Sequence, residues 1–295
     1  MSSRGVLALE DGASLEWSVA RARGKARATA LILPGLGAND LLADDDGLYG
    51  ALARGLAGEG LDVVRVKRTP EPSSIVDDVE TGLLSLQEVA AKRVVIVGHS
   101  LGALVAPLVA GPTNALGVVA FGGPARRWAD ALATSARRQL ALTGAAGPDL
   151  EREVELAARL YRALLREKVS PKALDPALKG CLAARDLSGD RLHGATLGYL
   201  RSVDAIDPLA AYARAKGGLV ALQGSFDAVV GEDDAGELAR AVVGAGRSAA
   251  DVRIAGVDHY GREQPSLEAA LSARGGHVSP RTIEAIARAA NRLLA

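Results

Sequence analysis

Apolar residues along the chain follow two alternating patterns. Short β-branched or leucine-rich runs predict strands, and longer stretches with apolar residues three and four apart predict helices. Val6 to Leu9 and Leu15 to Val19 flank Asp11-Gly12, which predicts a hairpin. Ala28 to Leu33 is an apolar run that stops at Pro34-Gly35. Leu48, Leu52 and Leu56 share one helical face, and Leu61 to Val66 reads as the next strand, followed by a loop carrying Pro70 and Pro72. Val76, Val79, Leu83, Leu86 and Val89 predict a helix over Ile75 to Ala90. Arg93 to Val97 has no polar alternation, as expected of a parallel strand covered on both faces. Leu101 to Ala110 reads as a helix and Gly117 to Phe121 as a strand.

From Pro124 to about Lys216 the alternation gives way to helical spacing. Leu150, Val154, Ala157, Tyr161 and Leu165 form one stripe of a helix over Asp149 to Val169, with acidic residues gathered at its start. Strand-like runs resume at Gly218 to Leu222 and Val252 to Val257, and Ser279-Pro280 opens a last helix. The pattern predicts an α/β core formed by residues 1–124 and 217–295. Residues 125–216 are predicted to be inserted into it as a helical cap.

Composition narrows the functions open to such a chain. Its 295 residues carry 35 Lys and Arg against 35 Asp and Glu, so it lacks the basic excess of a generic nucleic-acid or anionic-membrane binder. One cysteine, Cys181, excludes an internal disulfide framework and a Cys-rich zinc site. The apolar runs fall well short of the ~20 residues of a membrane span. Met1 to Trp17 has no secretory pattern, so a cytoplasmic protein is expected. Aromatic residues are only 3% of the chain, which predicts a pocket walled mainly by aliphatic side chains. The 34 glycines lower the weight of any single glycine motif.

The candidate chemistry therefore rests on position. Gly98-His99-Ser100-Leu101-Gly102 lies between a buried strand and an apolar helix. A serine on such a tight strand-to-helix turn exposes its Oγ above the sheet. It needs a base, and the base needs a carboxylate to hold it. His99 is too close in the turn to serve as that base. His259 follows a strand, which favours it over His193 in the insertion and His277 before the last helix. Asp227 follows the preceding strand. Asp204 and Asp207 precede that strand, Asp258 is expected to point away from His259, and Asp233 and Asp234 are expected on a solvated face. The Leu101 amide and the Leu36 amide, in the Pro34-Gly35-Leu36-Gly37 loop, are the expected oxyanion donors.

These motifs, with Gly37-Ala38-Asn39-Asp40, Gly122-Gly123-Pro124 and His277-Val278, resemble the α/β-hydrolase superfamily. Within it the chain looks most like bacterial esterase-like serine hydrolases with a helical cap. Ala38 stands where proline is usual and Ala103 where a second glycine is usual, departures that touch no triad atom. The resemblance implies an α/β-hydrolase fold, with a mostly parallel central sheet and helices on both faces. It also implies a Ser100–Asp227–His259 triad, an acyl-enzyme intermediate and no cofactor; the expected reaction is hydrolysis of a carboxylic ester, with a small-molecule acyl substrate as partner. A thioesterase, an acyltransferase, an amidase or peptidase, and an inactive binding protein are the alternatives. The histidines lack metal-ligand spacing, and Asp40 occupies the place where a dinucleotide fingerprint would need a third glycine, so neither a metal nor a nucleotide is expected.

Overall fold

A computed structural model describes residues 2–8, 14–37, 47–67, 72–272 and 277–295. The expected turn at Asp11-Gly12, Pro70 and the Ala38-Asn39-Asp40 segment lie outside these residues. The chain forms β1 (Ser2–Ala8), β2 (Ser14–Ala20), β3 (Ala28–Leu33), α1 (Leu48–Gly58), β4 (Leu61–Val66) and α2 (Ile75–Glu88). β5 (Val94–His99), α3 (Leu101–Thr113) and β6 (Gly117–Phe121) follow. Next come α4 (Trp128–Leu142), α5 (Gly147–Leu165), α6 (Pro176–Gly180), β7 (Leu187–Ser188), β8 (Arg191–Leu192), β9 (Ala195–Thr196), α7 (Leu197–Asp204) and α8 (Pro208–Arg214). The remainder is β10 (Gly218–Gly224), α9 (Asp234–Gly244), β11 (Ala249–Ile254), α10 (Leu267–Ser272) and α11 (Pro280–Leu294).

Eight strands make one sheet in the order β1-β2-β4-β3-β5-β6-β10-β11. The β1–β2 and β2–β4 pairs are antiparallel, and every other pair is parallel. The central strands β5 and β6 are buried throughout, because helices cover both faces. One face packs Leu52 and Leu56 of α1 with Ile286 and Ala290 of α11. The other packs Val105 and Val109 of α3 with Leu238 and Val242 of α9. The β4-β3-β5 order reverses the direction of chain progress at β3. The loops leaving β3 and β5 therefore diverge and open a crevice at the carboxyl edge.

The segment between β6 and β10 is helical as expected, but β7, β8 and β9 add a small antiparallel sheet. Two-residue strands are too short to leave a period in the sequence. Leu160, Leu164, Tyr199 and Val203 of this segment belong to the same hydrophobic cluster as Leu104 and Val105. Trp128, Tyr161, Tyr199 and Tyr212 are all buried. The Tyr212 hydroxyl donates to the Ala103 carbonyl (2.8 Å) and the Tyr199 hydroxyl to Asp78 (2.5 Å), so these rings fasten the segment to α3 and α2. Asp204, buried, accepts from the Ala129 amide (2.7 Å) and pairs with Arg166, while Asp207 caps α8.

Two expectations change. β11 spans Ala249–Ile254 and not Val252 to Val257. It is an edge strand paired only with β10, and Asp251, Val252 and Arg253 are exposed, so apolar content does not mark its limits. Gly256, at φ +70°, then turns the chain, and Val257 bridges Glu263 instead of extending the strand. Asp234 is not on a solvated face: it is buried at the start of α9, where it pairs with Arg126 and accepts from the Gly231 amide (2.8 Å). Burial pushes its carboxyl up against the pull of Arg126. Asp233 is exposed, as expected.

Candidate active site

Ser100 occupies the single residue between β5 and α3, with φ 54° and ψ −119°. Such a backbone is strained for a residue with a Cβ, and it persists because the turn is fixed on both sides. Its amide donates to the Phe121 carbonyl (2.9 Å), and its carbonyl accepts from Ala103 (2.9 Å). A Cβ at Gly98 would lie 2.6 Å from the Gly102 carbonyl oxygen, and one at Gly102 would lie 2.2 Å from that of Leu33. Both glycines are therefore required by packing, which is why the two flank this serine.

His259 and Asp227 come from the loops after β11 and β10. Asp258, buried, organises the His259 loop: its Oδ1 accepts from the amides of Tyr260 (2.8 Å) and Arg262 (2.9 Å), and its Oδ2 from Arg262 Nε (2.9 Å) and Gln264 (2.9 Å). The His259 ring is thereby presented to both partners. Its Nδ1–H donates to Asp227 Oδ2 (2.8 Å), and the Ser100 hydroxyl donates to its Nε2 (3.0 Å). Asp227 Oδ1 accepts from the amides of Val229 (2.8 Å) and Val230 (3.1 Å). Burial pushes the Asp227 carboxyl up, but His259 and these hydrogen bonds outweigh it and hold it below the usual range. Gly122, at φ +59°, leaves room for this pair, since a Cβ there would lie 3.0 Å from His259 Nδ1. A serine, an imidazole and a carboxylate in this order can lower the cost of removing the serine proton.

A model described as the alpha/beta hydrolase family matches residues 11–271. The chain belongs to the alpha/beta hydrolase family. By membership it is a hydrolase. A search of curated proteins finds no significant match. Among solved structures, this hydrolase is similar to Est1E from Butyrivibrio proteoclasticus, with a TM-score of 0.62 and 14% identity over 99% of this chain and 98% of that one. It is also similar to the esterase domain of a Rhodothermus marinus protein, with a TM-score of 0.58 and 15% identity over 100% of both chains. A hydrolase from Pseudomonas aeruginosa gives a TM-score of 0.51 and 22% identity over 85% of this chain and 89% of that one. At these identities the likeness concerns the fold.

The loop after β3, expected to supply an oxyanion donor, lies against the serine. A Cβ at Gly35 would sit 3.1 Å from Ser100 Cβ, a tight contact that glycine avoids. Leu36 follows, half-buried, and Leu101 begins α3, where the first amides have no partner within the helix. His193 pairs with Asp186 (3.5 Å) beside Tyr161, within the β6–β10 segment, and His277 is exposed. The structure does not bring either to the Ser100–His259 pair through any of these contacts. Among the described residues no group of acidic, histidine or cysteine side chains could hold a metal ion, and no helix is long and apolar enough to cross a membrane.

A cavity of about 220 Å³ adjoins His259, lined by Gln139, Phe226, Ala228, Val229, Tyr260 and Leu271 among others. Phe226 and Tyr260 stand in this wall beside the aliphatic Ala228, Val229, Ala270 and Leu271. Phe226 immediately precedes Asp227, so its place follows from the acid loop and not from composition.

His99, excluded as the base by its position, lies inside the site, a placement that no sequence pattern signals. It is buried, stacks on Phe121 with ring centroids 5.5 Å apart, and sits 5.0 Å from the His259 ring. Burial, reinforced by the charge of His259, pushes it down from 6.5 to about 3, so it stays neutral in the folded enzyme. An unfolded chain binds a proton here below pH 6.5 that the folded chain refuses until about pH 3. Stability is therefore expected to fall as pH drops through that window. His99→Gln should make the acid side of a plot of thermal midpoint against pH shallower, and an unchanged slope would contradict the assignment.

Proposed function

We propose that this hydrolase cleaves carboxylic esters of small molecules through Ser100, His259 and Asp227, by way of an acyl-enzyme. The observation that carries the reading is the continuous relay Ser100 Oγ–His259 Nε2 (3.0 Å) and His259 Nδ1–Asp227 Oδ2 (2.8 Å) at a strained strand-to-helix turn. Ser100 Oγ attacks the acyl carbon as its proton passes to His259 Nε2. Asp227 holds the ring and stabilises the imidazolium. The amides of Leu36 and Leu101 receive the oxyanion. The tetrahedral intermediate collapses, the ester C–O bond breaks, and His259 hands the proton to the leaving alcohol. Water then gives a proton to His259 and its oxygen to the acyl carbon. The acid departs and Ser100 recovers its proton.

Residues 125–216 act as the cap in this reading. Arg138 of α4 donates to the Asp227 carbonyl (2.9 Å), and Gln139 reaches the cavity beside the base. The leaving alcohol must receive its proton from His259, and this reading assigns the cavity beside that residue to it. An enclosed cavity of about 150 Å³ admits benzene, which makes this one large enough for a phenyl or benzyl group. A panel of acetyl to octanoyl esters, crossed with methyl, phenyl, benzyl and bulkier alcohols and with matched thioesters and amides, tests this. Oxygen esters of phenyl- or benzyl-sized alcohols are expected to give the highest kcat/KM. Faster turnover of thioesters or amides would overturn the substrate class.

A further inference from the structure

A buried chain of hydrogen bonds crosses the site behind Ser100. The Gly35 amide lies 2.8 Å from Tyr49 Oη, Tyr49 Oη lies 2.8 Å from His99 Nδ1, and His99 Nε2 lies 2.9 Å from the carbonyl oxygen of His259. Donor chemistry fixes the direction of every link. A carbonyl oxygen only accepts, so His99 Nε2 carries the ring proton. The ring is neutral, so its Nδ1 is bare and accepts the Tyr49 hydroxyl proton. The Tyr49 oxygen keeps a lone pair for the Gly35 amide. Gly35 lies in the loop after β3, Tyr49 in the first turn of α1, His99 at the end of β5 and His259 beyond β11. The links therefore join four separate segments.

We infer that Tyr49 and His99 form a strut that fixes the oxyanion loop relative to the base loop, as positioning residues for turnover. The inference rests on the reading of Ser100, His259 and Leu36 given above. Gly35 has the widest backbone freedom of any residue type, and the peptide that follows it carries the Leu36 amide. Tying the Gly35 amide to Tyr49 removes rotation that would swing the Leu36 N–H away from the developing oxyanion. At the other end, Asp227 orients the His259 ring while His99 holds its backbone. A preorganised donor stabilises the transition state only if it is already in place, and a misplacement of about 1 Å costs on the order of 10²-fold in rate.

Tyr49→Phe keeps the ring and removes the hydroxyl. It is expected to lower kcat by about 10- to 100-fold with KM nearly unchanged. His99→Gln retains a donor for the His259 carbonyl but loses the ring that reaches Tyr49. Because both act through one strut, the double variant is expected to lose no more than the worse single variant. Amide hydrogen exchange at Gly35 and Leu36 should quicken in Tyr49→Phe, a readout that does not depend on turnover. Wild-type kcat in Tyr49→Phe, losses that multiply in the double variant, or unchanged exchange would each overturn the strut. Fluorophosphonate labelling of the wild-type enzyme at Ser100 separates the two claims. No labelling would remove the reading of Ser100, whereas labelling with an unaffected Tyr49→Phe rate would remove the strut alone.

Discussion

Ser100→Ala is expected to lower kcat for ester hydrolysis by about 10⁴- to 10⁶-fold while KM and the fold are kept. The substitution removes one oxygen and one hydrogen bond, to His259 Nε2. It leaves the Cβ, the strained turn and the backbone bonds to Phe121 and Ala103 in place. The proposed oxyanion donors are backbone amides and survive, so a small residual rate above the uncatalysed reaction should remain. Circular dichroism, a thermal melt and fluorophosphonate labelling distinguish a dead site from an unfolded chain. Undiminished turnover in a folded Ser100→Ala protein would place the nucleophile elsewhere.

Asp227→Asn is expected to cost about 10⁴-fold in kcat, and the local hydrogen bonds explain why the amide cannot evade the defect. Oδ1 of Asp227 accepts from the amides of Val229 and Val230. An asparagine must keep its carbonyl oxygen there, because an NH₂ group would face two donors. Its NH₂ is therefore turned toward His259 Nδ1, which must become an acceptor. The ring proton then moves to Nε2, facing Ser100, where a base is needed. Replacement also removes the carboxylate charge that stabilises the imidazolium. Single-turnover kinetics should show a slowed acylation step in a protein that melts cooperatively. A loss of less than about tenfold would argue that Asp227 only packs the loop.

Much of the fold could be read from local pattern. The β3, β4 and β6 ranges coincide with the runs that predict them, because these strands are buried along nearly their whole length and a mainly apolar sequence marks that burial. The pattern failed where its physical basis is missing. β11 lies at an edge and is half solvated, and β7 to β9 are too short to show a period. Asp234 departs from the solvated face expected for it, because a charge at a helix start looks the same in sequence whether it meets water or Arg126.

The site divides along the same line. Strand-end position in the sequence singles out Ser100, Asp227 and His259, the three side chains that hydrogen bonds join in the fold. Each follows a strand, and strand ends are local features that put their loops on one edge of a parallel sheet. The glycines around Ser100 were equally legible, since the clashes they avoid lie within one turn or one neighbouring strand. The contacts of His99, Tyr49 and Asp258 emerge only from the folded chain. His99 and His259 are 160 residues apart in sequence, and Tyr49 and His99 are 50 apart. Their meeting depends on the strand order, which places β3 beside β5 and turns α1 onto the face below the serine. Apolar periodicity reports which side of an element is buried. It carries no information about which distant polar group awaits there, and hydrogen bonding to that group makes a buried histidine or tyrosine part of the site.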